Sequence, residues 1–140
     1  YVATDIWDNP YSTPEVAEAD KKFAQQVLGF NWRVGQASVT GEAYQVPVRF
    51  KEFGKGQYDF HNEYNADFYA VESPDSFYPA DNATGATFMR YGENNLIAGT
   101  VMKDATHKAV VIGFPFETIK GDGSSRKHLM SQILRFFEAK

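Results

Sequence analysis

Asp59, His61 and Glu63 alternate along the chain, so on a strand their side chains would share one face. A carboxylate, an imidazole and a second carboxylate side by side can bind a metal ion or pass protons. The same pattern describes a solvated strand face with Tyr58, Phe60 and Tyr64 turned inward. No second ligand cluster answers it, so neither a metal nor another cofactor is expected.

A second set follows the apolar run Ala109 to Phe114. That run is continuous rather than alternating, which predicts a central strand covered on both faces in a parallel sheet. Open α/β sheets gather ligands past the carboxyl ends of such strands. Gly113, Phe114, Phe116 and Glu117 are therefore the ligand-binding candidates. Gly113 would admit a close backbone or a ligand, and Glu117 would act as an acid, a base or a hydrogen-bond anchor. The competing reading makes Phe114 and Phe116 core plugs and Glu117 a cap on the local backbone.

Other chemistries are absent or bare. The chain has no cysteine, which removes disulfides, thiolate metal sites and cysteine nucleophiles together. Ser38, Thr40 and Ser131 lack a nucleophile-elbow pattern, and Gly35, Gly41, Gly54 and Gly56 form no dinucleotide fingerprint or phosphate loop. His107 and His128 sit beside basic residues at element ends and read as surface groups. Asn82-Ala83-Thr84 fits a glycosylation triplet, a pattern that chance also supplies.

Aromatic residues make up 16% of the chain, enough to wall a core and still leave rings at the surface. Trp7, Trp32, Tyr58, Tyr64, Tyr69 and Tyr78 could stack on sugar rings while neighbouring acids and amides bond hydroxyls. Rings at alternating positions equally fill a sheet–helix core, and that reading is favoured.

These residues need elements to hold them. Thr13 as a cap, Pro14 in the first turn and Ser12–Glu15 at capping-box spacing open a helix. Its apolar positions are Val16, Ala19, Phe23, Val27 and Leu28, and Gly29 stops it. Tyr1 to Ile6 reads as a strand end. Further strands are expected at 31–34, at 43–50 with Pro47 marking an edge, at 58–64 and at 67–72. Residues 73–85, rich in Pro, Asp and Asn, read as a surface connection. Residues 87–91 and 96–102 form a hairpin around Gly92 to Asn95. Ser124 or Ser125 would cap a closing helix with Leu129, Met130, Ile133, Leu134 and Phe137 as its apolar face.

With 140 residues the chain is expected to form a single domain. A net charge of -4 without clustered Lys and Arg argues against a nucleic-acid footprint. No apolar run reaches the roughly 20 residues of a membrane span. The chain opens on Tyr1 with no leader-like segment, as expected of a piece of a larger protein.

The segments VLGFNWRVGQAS (27–38), ATFMRYGENNLIAG (86–99), AVVIGFPFETI (109–119) and RKHLMSQILRFF (126–137) carry a resemblance across most of the chain. Together they resemble the carboxyl-terminal domain of bacterial xanthan lyase-like proteins. The resemblance implies an α/β, three-layer flavodoxin-like fold of the class I glutamine amidotransferase type, with a mixed sheet and flanking helices. Amidotransferases use a cysteine nucleophile that this chain lacks, so no catalytic residue carries over. The implied role is a non-catalytic accessory or interaction domain of an exported, extracytoplasmic protein acting on polysaccharide or cell envelope. Its partners would be the other domains of that protein and carbohydrate. The alternative is a polysaccharide lyase or hydrolase. A lyase needs a base and a cation beside a uronate carboxylate, for which Tyr91 or His61 with Arg90 are the contenders, beside Glu117.

Overall fold

A computed structural model describes Trp7 and residues 13–139. The Thr13 hydroxyl oxygen accepts a hydrogen bond from the Val16 N–H at 3.4 Å, and helix α1 spans Pro14–Phe23. Proline suits that first turn because its missing N–H has no helical partner there. Ser12, half of the expected capping box, and the Tyr1 to Ile6 strand end lie outside the described residues. The helix continues as a π-helical turn, Ala24–Leu28, and stops at Gly29 with φ 76°. A Cβ on Gly29 would sit 2.8 Å from that of Met102, so both the left-handed stop and the close approach need glycine. α1 buries no side chain, and Val16, Phe23 and Val27 of the expected apolar face are exposed.

Strands β1 (Phe30–Val34) and β3 (Ser76–Pro79) form a two-stranded sheet. Strands β2 (Ala43–Gln45), β4 (Gly85–Tyr91), β5 (Ile97–Lys103) and β6 (Lys108–Ile112) form a four-stranded sheet in the order β2-β4-β5-β6. Every pairing among the described residues is antiparallel. Helix α2 spans Ser124–Glu138. The class is mixed α/β, as expected. The sheet is not mixed in direction, and the parallel strands of a flavodoxin-like layer have no counterpart in these pairings.

The final strand is the main correction. Among the described residues β6 is the edge strand, paired with β5 alone and antiparallel to it, rather than at the centre of a parallel sheet. The cause is the short return after β5. The Asp104 carboxylate accepts the N–H groups of Thr106 and His107 at 2.6 and 2.9 Å and closes a tight turn. A parallel partner needs a crossover of about a dozen residues or more, and four do not reach. The continuous apolar run has a different origin. Val110 and Ile112 pack on the main core while Val111 packs on a second cluster with Phe30 and Phe77. An edge strand covered on both faces thus reads like a central one.

Residues 73–85 are not a surface connection, because they contain β3. Phe77 is fully buried, and its ring meets Phe30 at 5.2 Å. Residues 58–64 and 67–72 form no ladder. Among the described residues the one bridge there is Phe60–Ile119, with Tyr44–Gln57 just before it, and Asn65 Oδ1 accepts the N–H groups of Asp67 and Phe68 to make a turn. Tyr58 and Phe60 are buried as expected, but Tyr64 points outward. Pairing of β2 stops at Gln45, before Pro47. The β4–β5 hairpin and β1 stand where the sequence predicts them.

The main core lies between the four-stranded sheet, α2 and the segment from Phe53 to Phe60. α2 turns Leu129, Gln132 and Phe136 inward, so Met130, Leu134 and Phe137 of the expected face are exposed. Its N-cap is Gly123 rather than a serine, and the Asp122 carboxylate accepts the Ser124 N–H at 2.9 Å. No helix among the described residues is long and apolar enough to cross a membrane.

Candidate functional site

Beyond β6 the chain crosses the place where the two sheets meet. The Gly113 N–H donates to the Ala98 carbonyl at 2.8 Å, and the Gly113 carbonyl accepts the Asp75 N–H at 2.7 Å. A Cβ on Gly113 would lie 2.0 Å from the Asp75 carbonyl oxygen. Of the two neighbours a bare glycine could admit, the one present is therefore a backbone. The Tyr91 hydroxyl donates to that same Asp75 carbonyl at 2.7 Å, and Trp32 Nε1–H donates to Asp75 Oδ1 at 2.9 Å. Asp75 is buried and joins β1 and β3 to the larger sheet.

Tyr91 is fully buried. Burial pushes its hydroxyl pKa well above the usual tyrosine range, and the nearby negative charge of Asp75 adds to the rise. It stands as a structural donor to a carbonyl. Phe114 stacks on Phe60 with centroids 4.3 Å apart and planes 19° apart, inside the core. Phe116 is half-buried on the core margin.

Glu117 sits on the 3-10 turn Phe116–Thr118 and is exposed. Its Oε1 accepts the Tyr69 hydroxyl at 2.7 Å. The His61 N–H donates to the Thr118 carbonyl at 2.9 Å, and the Val71 N–H donates to the His61 carbonyl at 2.9 Å. These bonds bring the loop from His61 to Val71 against Glu117. Within it the His61 ring lies flat on Phe68, at 4.9 Å and 12°, with Nδ1 3.0 Å from Asn65 Nδ2. Tyr64 is 82% exposed and Tyr69 46%, one on each side of the turn that Asn65 closes. Glu117, Tyr69 and His61 thus belong to one loop cluster.

The remaining candidates do not join it. Arg90 Nη1 donates to the Asn95 carbonyl at 2.6 Å, at the β4–β5 turn, where the Tyr44 hydroxyl also reaches Asn95 Oδ1 at 2.5 Å. Asp59 Oδ1 accepts from Gln57 Nε2 at 2.6 Å and from the Ala43 N–H at 3.3 Å, so it forms no common face with His61 and Glu63. Among the described residues no group of three or more His, Cys, Asp and Glu could hold a metal ion. His107 meets the Val27 carbonyl at 2.9 Å through Nε2, and His128 meets Gln132 at 3.0 Å.

A groove of about 380 Å³ was not foreseen. It is walled by Phe50 and Phe136 and lined by Arg49, Lys51, Glu52 and Lys103. Lys103 stands far along the chain from Arg49 and Lys51, so no spacing signal joins the three. Asp75 was hidden for another reason: flanking prolines gave its segment the look of a loop. No family model, curated protein or solved structure matches this chain.

Proposed function

We propose that this chain is a non-catalytic accessory or interaction domain that contacts carbohydrate, within an exported bacterial protein acting on polysaccharide or cell envelope. One observation carries the carbohydrate part: two exposed tyrosines flank one turn, and Glu117 holds the Tyr69 ring by its hydroxyl. A ring fixed by a second residue loses little rotamer freedom on binding and offers an apolar face to the flat side of a sugar. The Glu117 carboxylate keeps an oxygen for sugar hydroxyls.

The lyase alternative has less support. Its base candidate Tyr91 is buried and donates to a carbonyl, and Arg90 is engaged at a separate turn. The exported setting, and any amidotransferase-like layering, rest on the resemblance in the four quoted segments alone, and antiparallel sheets lend the layering no support. The test is binding of the chain to a polysaccharide panel, with Tyr69→Ala and Tyr64→Ala as comparisons. Binding that Tyr69→Ala weakens about tenfold supports the reading. Absence of binding across the panel removes the carbohydrate part.

A further inference from the structure

We infer that the groove between Arg49 and Lys103 is a second subsite, one that takes the carboxylate of a uronic acid unit in an acidic polysaccharide. The inference rests on the carbohydrate reading above and deepens it. The groove sets three cations, Arg49, Lys51 and Lys103, against the single acid Glu52 in a chain whose net charge is -4. Positive charge is therefore concentrated here against the overall balance, which is how a surface selects an anionic ligand.

Arg49 is held in place before any ligand arrives. Nη1 and Nη2 donate to the carbonyls of Asn82 and Ala83 at 3.0 and 2.9 Å, and the guanidinium lies over the Phe50 ring at 5.0 Å. Its Nε–H and one hydrogen on each terminal nitrogen have no partner among the described residues. The edge formed by Nε and one terminal nitrogen suits a carboxylate received through two parallel bonds. The turn that fixes Arg49 also fixes the opposite wall, because the Lys103 N–H donates to the Thr84 carbonyl at 3.1 Å.

The carbonyl end of α2 would otherwise repel an anion at this spot. Lys108 offsets it, donating to the carbonyls of Phe136, Phe137 and Ala139. Phe50 is half-buried and meets the fully buried Phe136 edge to face at 5.3 Å, so the apolar surface the groove offers a sugar ring is the margin of Phe50. Glu52 can accept from a sugar hydroxyl. Cations beside the half-buried Phe50 ring match a carboxylated sugar better than a bare inorganic anion.

The experiment titrates the 140-residue chain with a glucuronate-containing tetrasaccharide, its carboxyl-reduced counterpart and inorganic phosphate. The acidic tetrasaccharide is expected to bind about tenfold more tightly than the reduced one and to weaken as salt rises. Lys51→Gln and Lys103→Gln should each lower its affinity about fivefold while leaving the unfolding midpoint unchanged. Equal binding of the two tetrasaccharides, or Lys→Gln variants that bind like the parent, overturns the subsite. The carbohydrate reading then survives if Tyr69→Ala still weakens binding. Phosphate binding as tightly as the acidic tetrasaccharide overturns the sugar assignment. If neither sugar binds, both readings fall.

Discussion

Gly113→Ala should unfold much of what joins the two sheets. The new Cβ would start 2.0 Å from the Asp75 carbonyl oxygen and 2.7 Å from the Tyr91 hydroxyl, and ordinary contact begins near 3.4 Å. The Asp75 carbonyl must therefore retreat by about 1.4 Å, the difference between 2.0 and 3.4 Å. Two bonds of 2.7 Å hold it where it is, Asp75 N–H to the Gly113 carbonyl and Tyr91 hydroxyl to the Asp75 carbonyl. That displacement breaks both. A buried group left without its partner costs roughly 1–3 kcal/mol, and overpacking adds strain of similar size. The expected loss is about 3–5 kcal/mol, a large fraction of the roughly 5–15 kcal/mol that holds a domain folded. Urea unfolding followed by tryptophan fluorescence measures it as a fall in the midpoint at constant slope. Gly54→Ala is the control, since its Cβ would come no closer than 3.5 Å to any neighbour and should change stability by about 0.5 kcal/mol or less. A Gly113→Ala protein within about 1 kcal/mol of the parent would refute the claim that bare backbone contact joins the sheets there.

Tyr91→Phe should cost about 1–2 kcal/mol by removing the buried hydroxyl that donates to the Asp75 carbonyl, read from the same unfolding curves. Because burial raises the folded-state pKa of Tyr91, its share of stability is full below the usual 10.0 and declines as pH rises above it. The parent should lose roughly 1.4 kcal/mol more than Tyr91→Phe for each pH unit above 10, and equal slopes would count against the buried hydroxyl. The Asp104 carboxyl titrates near 2, held down first by the His107 N–H and then by that of Thr106. Its contribution is present above the usual 3.8 and is lost as pH falls towards 2, which a carbon-detected NMR titration of the turn would show directly. Glu117→Gln should leave stability unchanged within about 0.5 kcal/mol. Its sugar affinity should fall severalfold through looser seating of Tyr69, and a larger loss of stability would mark Glu117 as structural.

Local signals in the sequence carried through wherever local chemistry decided the outcome. The Thr13–Pro14 start of α1, the Gly29 stop and the β4–β5 hairpin are set by backbone dihedrals and caps within a few residues. Strand direction is a different matter, because it depends on which partner the strand finds. The apolar run of β6 records only that both faces are covered, and it is silent on whether the neighbour runs parallel. The same limit applies to the face of α2. Gln132 turns inward because Gln45 Nε2 donates to its Oε1 at 2.6 Å, a partner 87 residues away that periodicity cannot register. At the candidate site, Glu117 and the surplus of tyrosines were visible one by one. Their junction through Tyr69 depends on the Asn65 turn and the His61–Thr118 backbone bond, where an expected strand gave way to a loop.

The central claim is contact with carbohydrate without cleavage. Size-exclusion chromatography with light scattering, run on an acidic polysaccharide after prolonged incubation with the chain, tests it most directly. The account predicts protein co-eluting with polymer of undiminished mass, and co-elution lost in Tyr69→Ala. Polymer that shortens, or protein that elutes apart from it, would contradict the account.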